Sequence, residues 1–384
     1  VFGSGKVLET GELTRPYGKK ALIVTGKSSA KKSGLYDKVN DSLKAAGLET
    51  VLFDKVSQNP LTTTAQEGAD FAKANGCDVV VAIGGGSIMD CAKAILLFYE
   101  FPYLNFENVL EFNKKGEIPT ERKTGLICVP STSGTGSEVT RGTVITDPEK
   151  ELKVPIMTDC LRPDLAILDP EITMTMPDHV AAETGMDALT HAIEAYTNHN
   201  LDDFDEGLCS SAVIGIMKWL PVSVFDKTLE AREKVHNYQA MAGIGFANVG
   251  LGMVHGIAHS FGAAYNMAHG LTNAIILPYV LRYNSRDAVV REKLAELSYR
   301  CHCDDIITEI EKMREKLGIP ASFREAGITE EMYREKYDLL LEHAMLGATN
   351  VNPVKMTIEE MKRCSTWFIP ETGRYKQGRI PENV

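Results

Sequence analysis

The sequence predicts a chain in two parts: an α/β domain with a parallel sheet over residues 1–177, then an all-helical domain over residues 178–384. Three observations carry that expectation. Short β-rich runs alternate with helical patterns through the first half. Those runs are continuously apolar instead of alternating. Beyond Met176–Asp178, helical patterning dominates. A strand covered on both faces has no solvent side, so a continuous apolar run marks a parallel sheet packed between helices. A length of 384 residues suits two domains, each able to bury a core.

In chain order, the first strand is expected at ALIVTG (Ala21–Gly26), followed by a helix around GLYDKVNDSLKAAG. ETVLFD (Glu49–Asp54) is the second strand, before a helix around TTAQEGADFAKANG. DVVVAIGGGS (Asp78–Ser87) is the third, running into a helix at IMDCAKAILLFY. GLICVPSTSGTG (Gly125–Gly136) holds the fourth strand and DLAILDP (Asp164–Pro170) one more. In the second half, helical spacing runs through AAETGMDALTHAIEAYTNH, SSAVIGIMKWLPVSV, REKLAELSYR, ITEIEKMREKLG and IEEMKRC. No internal repeat is visible.

Composition narrows the partners. Against 41 basic residues stand 52 acidic ones, a net charge of −11, which argues against nucleic acid and anionic membranes. No uninterrupted apolar run approaches the roughly 18 residues of a membrane span. The opening VFGSGKVLET lacks the pattern of a secretory signal. Eight scattered cysteines, Cys364 the last, form no C-x-x-C pair and read as reduced thiols of a cytoplasmic protein. RCHCDD (Arg300–Asp305) reads as structural, because helix residues one or two apart do not face each other. The polar, Gly- and Pro-containing C-terminal run is expected to fray.

Two loops suit a dinucleotide. In DVVVAIGGGSIMDCAKA a buried strand enters three glycines and then a helix, exposing backbone N–H groups where the helix dipole favours an anion. Gly84, Gly85 and Gly86 permit close approach of a pyrophosphate, since a Cβ would hold it away. PSTSGTGSEVT (Pro130–Thr140), dense in hydroxyls and glycine, follows the next strand; two such loops at adjacent strand ends suit a diphosphate and ribose. After the first strand, VTGKSSAKKSG presents Gly26 and no acid, with Lys27, Ser28, Ser29, Lys31 and Lys32 able to receive a 2′-phosphate. Asp54 is the rival, an acid placed to bind a ribose 2′-hydroxyl. The loop favours NADP(H) over NAD(H).

In the second half, GMDALTHAIEAY puts Asp187 and His191 at i, i+4, one above the other on a helix face. His255 and His259 repeat that spacing, and His269 follows. One carboxylate and several imidazoles suit a first-row divalent ion such as Fe²⁺ or Zn²⁺. Five candidate ligands exceed what a site with an open position needs, so one histidine is left for another role.

Together, GMDALTHAIEAY, GMVHGIAHSFGAAYNMAHG, AIGGGSIMDCAKA and PSTSGTGSEVT resemble the iron-containing (group III) alcohol dehydrogenases, in order and over nearly the whole chain. That family includes propanediol oxidoreductases, 1,3-propanediol dehydrogenases and butanol dehydrogenases. The resemblance implies a Rossmann-like nucleotide-binding domain and a helical metal-binding domain, in the two-domain plan shared with dehydroquinate synthase. It implies Asp187, His191, His255 and His269 as metal ligands, iron before zinc, with His259 beside substrate and nicotinamide. It also implies that Gly85, Gly86 and Ser87 wrap the pyrophosphate, that Thr132, Thr135 and Lys153 line the ribose and nicotinamide, and that Asn59 lies at the adenosine. NAD-preferring relatives often carry Asp at the position of Gly26, which adds to the NADP(H) reading. The implied assembly is a homodimer or larger, with the active site in the cleft between domains.

The expected reaction is reversible hydride transfer between a nicotinamide and a small aliphatic alcohol or aldehyde, with His259 in the proton path. Phe246, Asn248 and Met253 precede or open the histidine-bearing helix and read as core packing before pocket lining. Arg141 suits an anionic aldehyde such as sulfoacetaldehyde if it faces the site; the plainer reading pairs it with Glu138 or Asp147. Competing readings are a glycerol dehydrogenase or dehydroquinate synthase-type enzyme and a catalytically idle nucleotide- and metal-binding assembly protein.

Overall fold

The computed structural model describes residues 1–147 and 152–362. Cys364 and the polar C-terminal run lie outside the described residues. The chain forms two compact units, Val1–Pro177 with Lys227–Gly243, and Asp178–Asp226 with Ile244–Val384. Residues 227–243 therefore group with the first unit, not with the helical half that the sequence pattern suggests. The cause is polar: Arg232, His236 and Gln239 are buried there, and the last two bond to the loop at 133–138.

Among the described residues the first unit has seven strands: β1 Lys20–Gly26, β2 Glu49–Val56, β3 Val79–Gly84, β4 Gly125–Pro130, β5 Gly142–Asp147, β6 Leu152–Met157 and β7 Leu165–Ala166. Five of them form a parallel sheet in the order β2-β1-β3-β4-β7. Successive side chains take opposite faces. Leu22, Val24, Val80, Ala82, Leu126 and Cys128 pack with residues of the Thr62–Asn75 and Gly86–Glu100 helices. Ala21, Ile23, Val79, Val81, Ile83 and Ile127 pack with Leu35, Val39 and Leu43 of the Leu35–Ala45 helix. Both faces are covered, which is why the strands read as unbroken apolar runs. With β1 flanked by β2 and β3, the order reverses between β1 and β3. Such a switch opens a crevice at the carboxyl ends of the strands, here at Gly26 and Gly84.

The remaining two strands, β5 and β6, form an antiparallel pair that the sequence pattern does not announce. β5 is only alternately buried and β6 carries Pro155, so neither resembles the apolar runs of the main sheet.

The second unit is helical. The Asp178–Thr197 helix packs on Asp203–Phe225 and on His269–Asn284, and Met253–Tyr265 packs on His269–Asn284 and Tyr337–Ala344. Among the described residues one helix by itself, Asp203–Phe225, is long and apolar enough to cross a bilayer. Its Cys209, Ala212, Val213, Ile216 and Leu220 are buried inside the unit, so it serves as a core helix. A Cβ on Gly270 would stand 2.2 Å from the Glu183 carbonyl oxygen. Only glycine lets the start of the His269–Asn284 helix come this close to the Asp178–Thr197 helix.

Candidate functional site

At the strand ends of the first unit, the two glycine-bearing loops meet. Gly84 has φ 154° and ends β3; Gly85 caps the Gly86–Glu100 helix. A Cβ on Gly85 would lie 3.2 Å from Thr132, and one on Gly86 2.5 Å from Thr135 Cγ2 and 2.8 Å from its Oγ1. The expected residues Gly84, Gly85, Gly86, Ser87, Thr132 and Thr135 therefore share one place, beside the free N–H groups of a helix start. Gly26 ends β1, and a Cβ on it would stand 3.3 Å from Val56 O and 3.4 Å from Ile88 Cδ1. Asn59, with φ 52°, lies in the loop after β2, and Lys153 sits on β6 opposite Thr146.

Buried polar groups hold the 131–142 loop. Lys93 Nζ donates to the carbonyls of Ser137 (2.6 Å), Thr140 (2.9 Å) and Gly142 (2.8 Å), and burial pushes its pKa down. Asp90 accepts from Ser137 Oγ at 2.7 Å and Val144 N at 3.0 Å. From residues 227–243, Gln239 accepts from Gly136 N at 2.9 Å, and His236 Nδ1 meets Ser133 Oγ at 2.9 Å. Burial pushes His236 down to about 4, which keeps it neutral at ordinary pH. None of these four side chains stands out in the sequence. Their partners lie 44 to 103 residues away, beyond the reach of spacing arguments.

In the second unit, one ligand atom each from Asp187, His191, His255 and His269 lies within 4.8 Å of all the others. Asp187 Oδ1 is 3.9 Å from His191 Nε2, 3.8 Å from His255 Nε2 and 3.7 Å from His269 Nε2. Tetrahedral coordination at ~2.1 Å per bond puts neighbouring donors about 3.4 Å apart; the Asp187–imidazole distances exceed this by a few tenths of an ångström, and no pair of donors is more than 4.8 Å apart. Asp187, His191 and His255 are buried, while the His269 side chain keeps 27% of its exposure. The donors fit a divalent metal: no thiolate, one carboxylate, three imidazoles.

The charges agree. Burial pushes the Asp187 carboxyl up, but the facing imidazoles of His191 and His269 and a bond with His255 outweigh it and hold it well below the usual range. Burial pushes His255 down, yet Asp187 and Glu194 raise it to about 9. The two carboxylates that raise His255 are what suits the site to a cation, which would take the place of the proton on Nε2.

Glu194 is not among the residues expected from sequence. Its Oε2 accepts from His255 Nδ1 at 2.5 Å, which turns Nε2 of that ring toward Asp187, and its Oε1 accepts from Val254 N at 2.8 Å at the start of the Met253–Tyr265 helix. A signal is present: Glu194 lies three residues after His191 and seven after Asp187, on one helix face. Carboxylates behind metal-bound histidines typically change metal affinity about 10–100-fold when removed. Glu194→Gln is expected to weaken Zn²⁺ binding in that range in a chelator competition. Unchanged affinity would reduce Glu194 to a helix-end clamp.

His259 stays outside the group of four; its ring stacks on His269 at 5.2 Å between centroids, and it is half-buried. Phe246 stacks on His191 at 4.4 Å. Asn248 is exposed and donates to Asp205 Oδ1, and Met253 is fully buried core. Arg141 pairs with neither expected acid. Glu138 is buried and bonds to Gln239, and Arg141 instead reaches Asp159 at 3.5 Å. Asp54, the rival ribose acid, is bound by Lys31 at 2.5 Å.

Glycine-rich loops at the ends of a parallel sheet, and a helical unit gathering Asp and three His, suit an enzyme that uses a dinucleotide and a divalent metal. Residues 1–170 match the family described as iron-containing alcohol dehydrogenase, and residues 181–365 match its C-terminal region. The NADPH-dependent butanol dehydrogenase of Clostridium saccharobutylicum is 37% identical over 372 residues, covering 94% of each chain. The NAD-dependent methanol dehydrogenase of Bacillus methanolicus is 35% identical over 374 residues, covering 94% of this chain and 95% of that one. The solved iron-containing alcohol dehydrogenase of Thermococcus thioreducens superposes with a TM-score of 0.88 at 32% identity, covering 97% of this chain and 98% of that one. This chain belongs to the iron-containing alcohol dehydrogenase family. It is a metal-dependent, NAD(P)-dependent oxidoreductase acting on alcohols.

Proposed function

We propose that this enzyme interconverts a small, uncharged aliphatic alcohol and its aldehyde with NADP(H), using one Fe²⁺, or Zn²⁺ in its place, held by Asp187, His191, His255 and His269. The observation that carries the reading is the convergence of those four donor atoms within 4.8 Å. The ion supplies Lewis acidity toward the substrate oxygen, and the nicotinamide supplies or accepts the hydride. The chain's own residues do the rest. Glu194 holds His255 with Nε2 facing the donor group. His259, stacked on His269 and partly exposed, takes up or returns the substrate proton at its imidazole. The main-chain N–H groups of Gly86 and Ser87 receive the pyrophosphate, with Thr132 and Thr135 beside them. Thr132, Thr135 and Lys153 serve the ribose and nicotinamide side, and Asn59 the adenosine side.

The NADP(H) preference rests on Gly26, which ends β1 and offers no acid to a ribose 2′-hydroxyl. The uncharged substrate is the plainer reading because Arg141, which suits an anionic aldehyde only if it faces the site, reaches Asp159 at 3.5 Å. Seven described cysteines, all free, fit a reducing, cytoplasmic compartment.

The test is a reduction panel of propanal, butanal, 3-hydroxypropanal, lactaldehyde, glyoxylate and sulfoacetaldehyde, run with NADPH and with NADH. Neutral aldehydes are expected to turn over faster with NADPH. A preference for NADH would overturn the Gly26 argument, and turnover of the anionic aldehydes alone would bring Arg141 into the site.

A further inference from the structure

Asn273 lies one turn after His269 on the His269–Asn284 helix, on the same face and fully buried. Its Nδ2 donates to Asp187 Oδ1 at 2.6 Å and lies 3.1 Å from His255 Nε2 and 3.2 Å from His269 Nε2. Three of the four candidate ligand atoms therefore face this one amide. Its other end, Oδ1, is buried with no hydrogen-bond partner among the described residues. Buried polar atoms are rarely left so, and each such case calls for a reason.

We infer that Asn273 is a fifth, neutral member of the metal centre, an amide that offers Nδ2 to the bare ligand set and Oδ1 to a bound cation. The inference rests on the proposed metal site. The two ends of a carboxamide have opposite preferences: N–H groups suit a carboxylate with no cation beside it, and a carbonyl oxygen suits a cation. Rotation about χ2, a soft and nearly two-fold torsion, exchanges the two without moving the backbone. Asn273 thus stabilises the metal-stripped protein through Asp187 and gives the loaded protein an additional oxygen facing the ion. A hard oxygen favours ferrous iron and other oxygen-tolerant ions over those that demand sulfur.

The test uses the full chain, metal-stripped and Zn²⁺-loaded, with Asn273→Asp and Asn273→Ala beside the parent. Replacing the amide by a carboxylate of equal size adds a negative charge beside the ion and is expected to tighten Zn²⁺ binding by about tenfold or more. It should also lower the melting temperature of the stripped protein, where two carboxylates then face each other. Asn273→Ala is expected to weaken Zn²⁺ binding, and so to lower the melting temperature of the loaded protein more than that of the stripped one. Unchanged Zn²⁺ affinity in Asn273→Asp, with equal shifts in both forms, would make Asn273 a packing residue and overturn the inference. If Asn273→Ala fails to fold, the isosteric Asn273→Asp decides the question alone. A parent protein that binds no divalent ion would instead overturn the metal site itself, so the two failures are distinguishable.

Discussion

Asp187→Asn is expected to strip the enzyme of its metal and its activity together, while leaving the fold in place. The carboxylate is the one formal negative charge among the four donors, and its Oδ1 lies 3.7–3.9 Å from all three imidazole nitrogens. Asparagine keeps the shape and withdraws the charge. Because removing an outer-shell partner alone costs about 10–100-fold, losing this ligand should lower kcat/KM by more than about 100-fold. Metal analysis after gel filtration should find the ion absent, and a melting curve should show a folded protein. Retention of both metal and activity would mean that Asp187 is not a ligand.

Gly86→Val should damage the other half of the reaction and leave the metal untouched. A Cβ at this position stands 2.5 Å from Thr135 Cγ2, inside any tolerated contact. Either the helix start or the 131–142 loop must shift, and overpacking of this kind costs about 1–3 kcal/mol. The loop has little freedom to yield, since Lys93, Asp90, Gln239 and His236 hold it from two helices. The expected result is a KM for NADPH raised by about tenfold or more, with bound metal unchanged. An unaltered nucleotide KM would show that the pyrophosphate does not approach Gly86.

What the sequence reveals, and what it hides, follows from the range of each interaction. The sheet is legible because β1, β3 and β4 are buried on both faces and carry unbroken apolar runs. Asp187 and His191 stand out because an i, i+4 pair of ligand types on an otherwise apolar face is unusual. Glu194 shares the helix of Asp187 and His191, and Asn273 that of His269, yet a lone Glu or Asn in a helix reads first as surface. Only the fold shows that both are buried beside histidines. His236 and Gln239 are invisible for a different reason. Their role depends on residues 227–243 joining the first unit, a contact between segments about 100 residues apart that leaves no local pattern. Arg141 is misplaced by proximity in sequence: Glu138, three residues earlier, faces inward to Gln239, and Asp159 takes its place.

The most direct measurement is a reconstitution titration. Metal-stripped protein receives Fe²⁺ without oxygen, and separately Zn²⁺, while bound metal and NADPH-dependent aldehyde reduction are followed in the same sample. The arrangement of Asp187, His191, His255 and His269 predicts activity that rises in step with the first bound equivalent and then stops, and an Asp187→Asn protein that gains neither. Full activity in stripped protein, or full metal binding by Asp187→Asn, would contradict it.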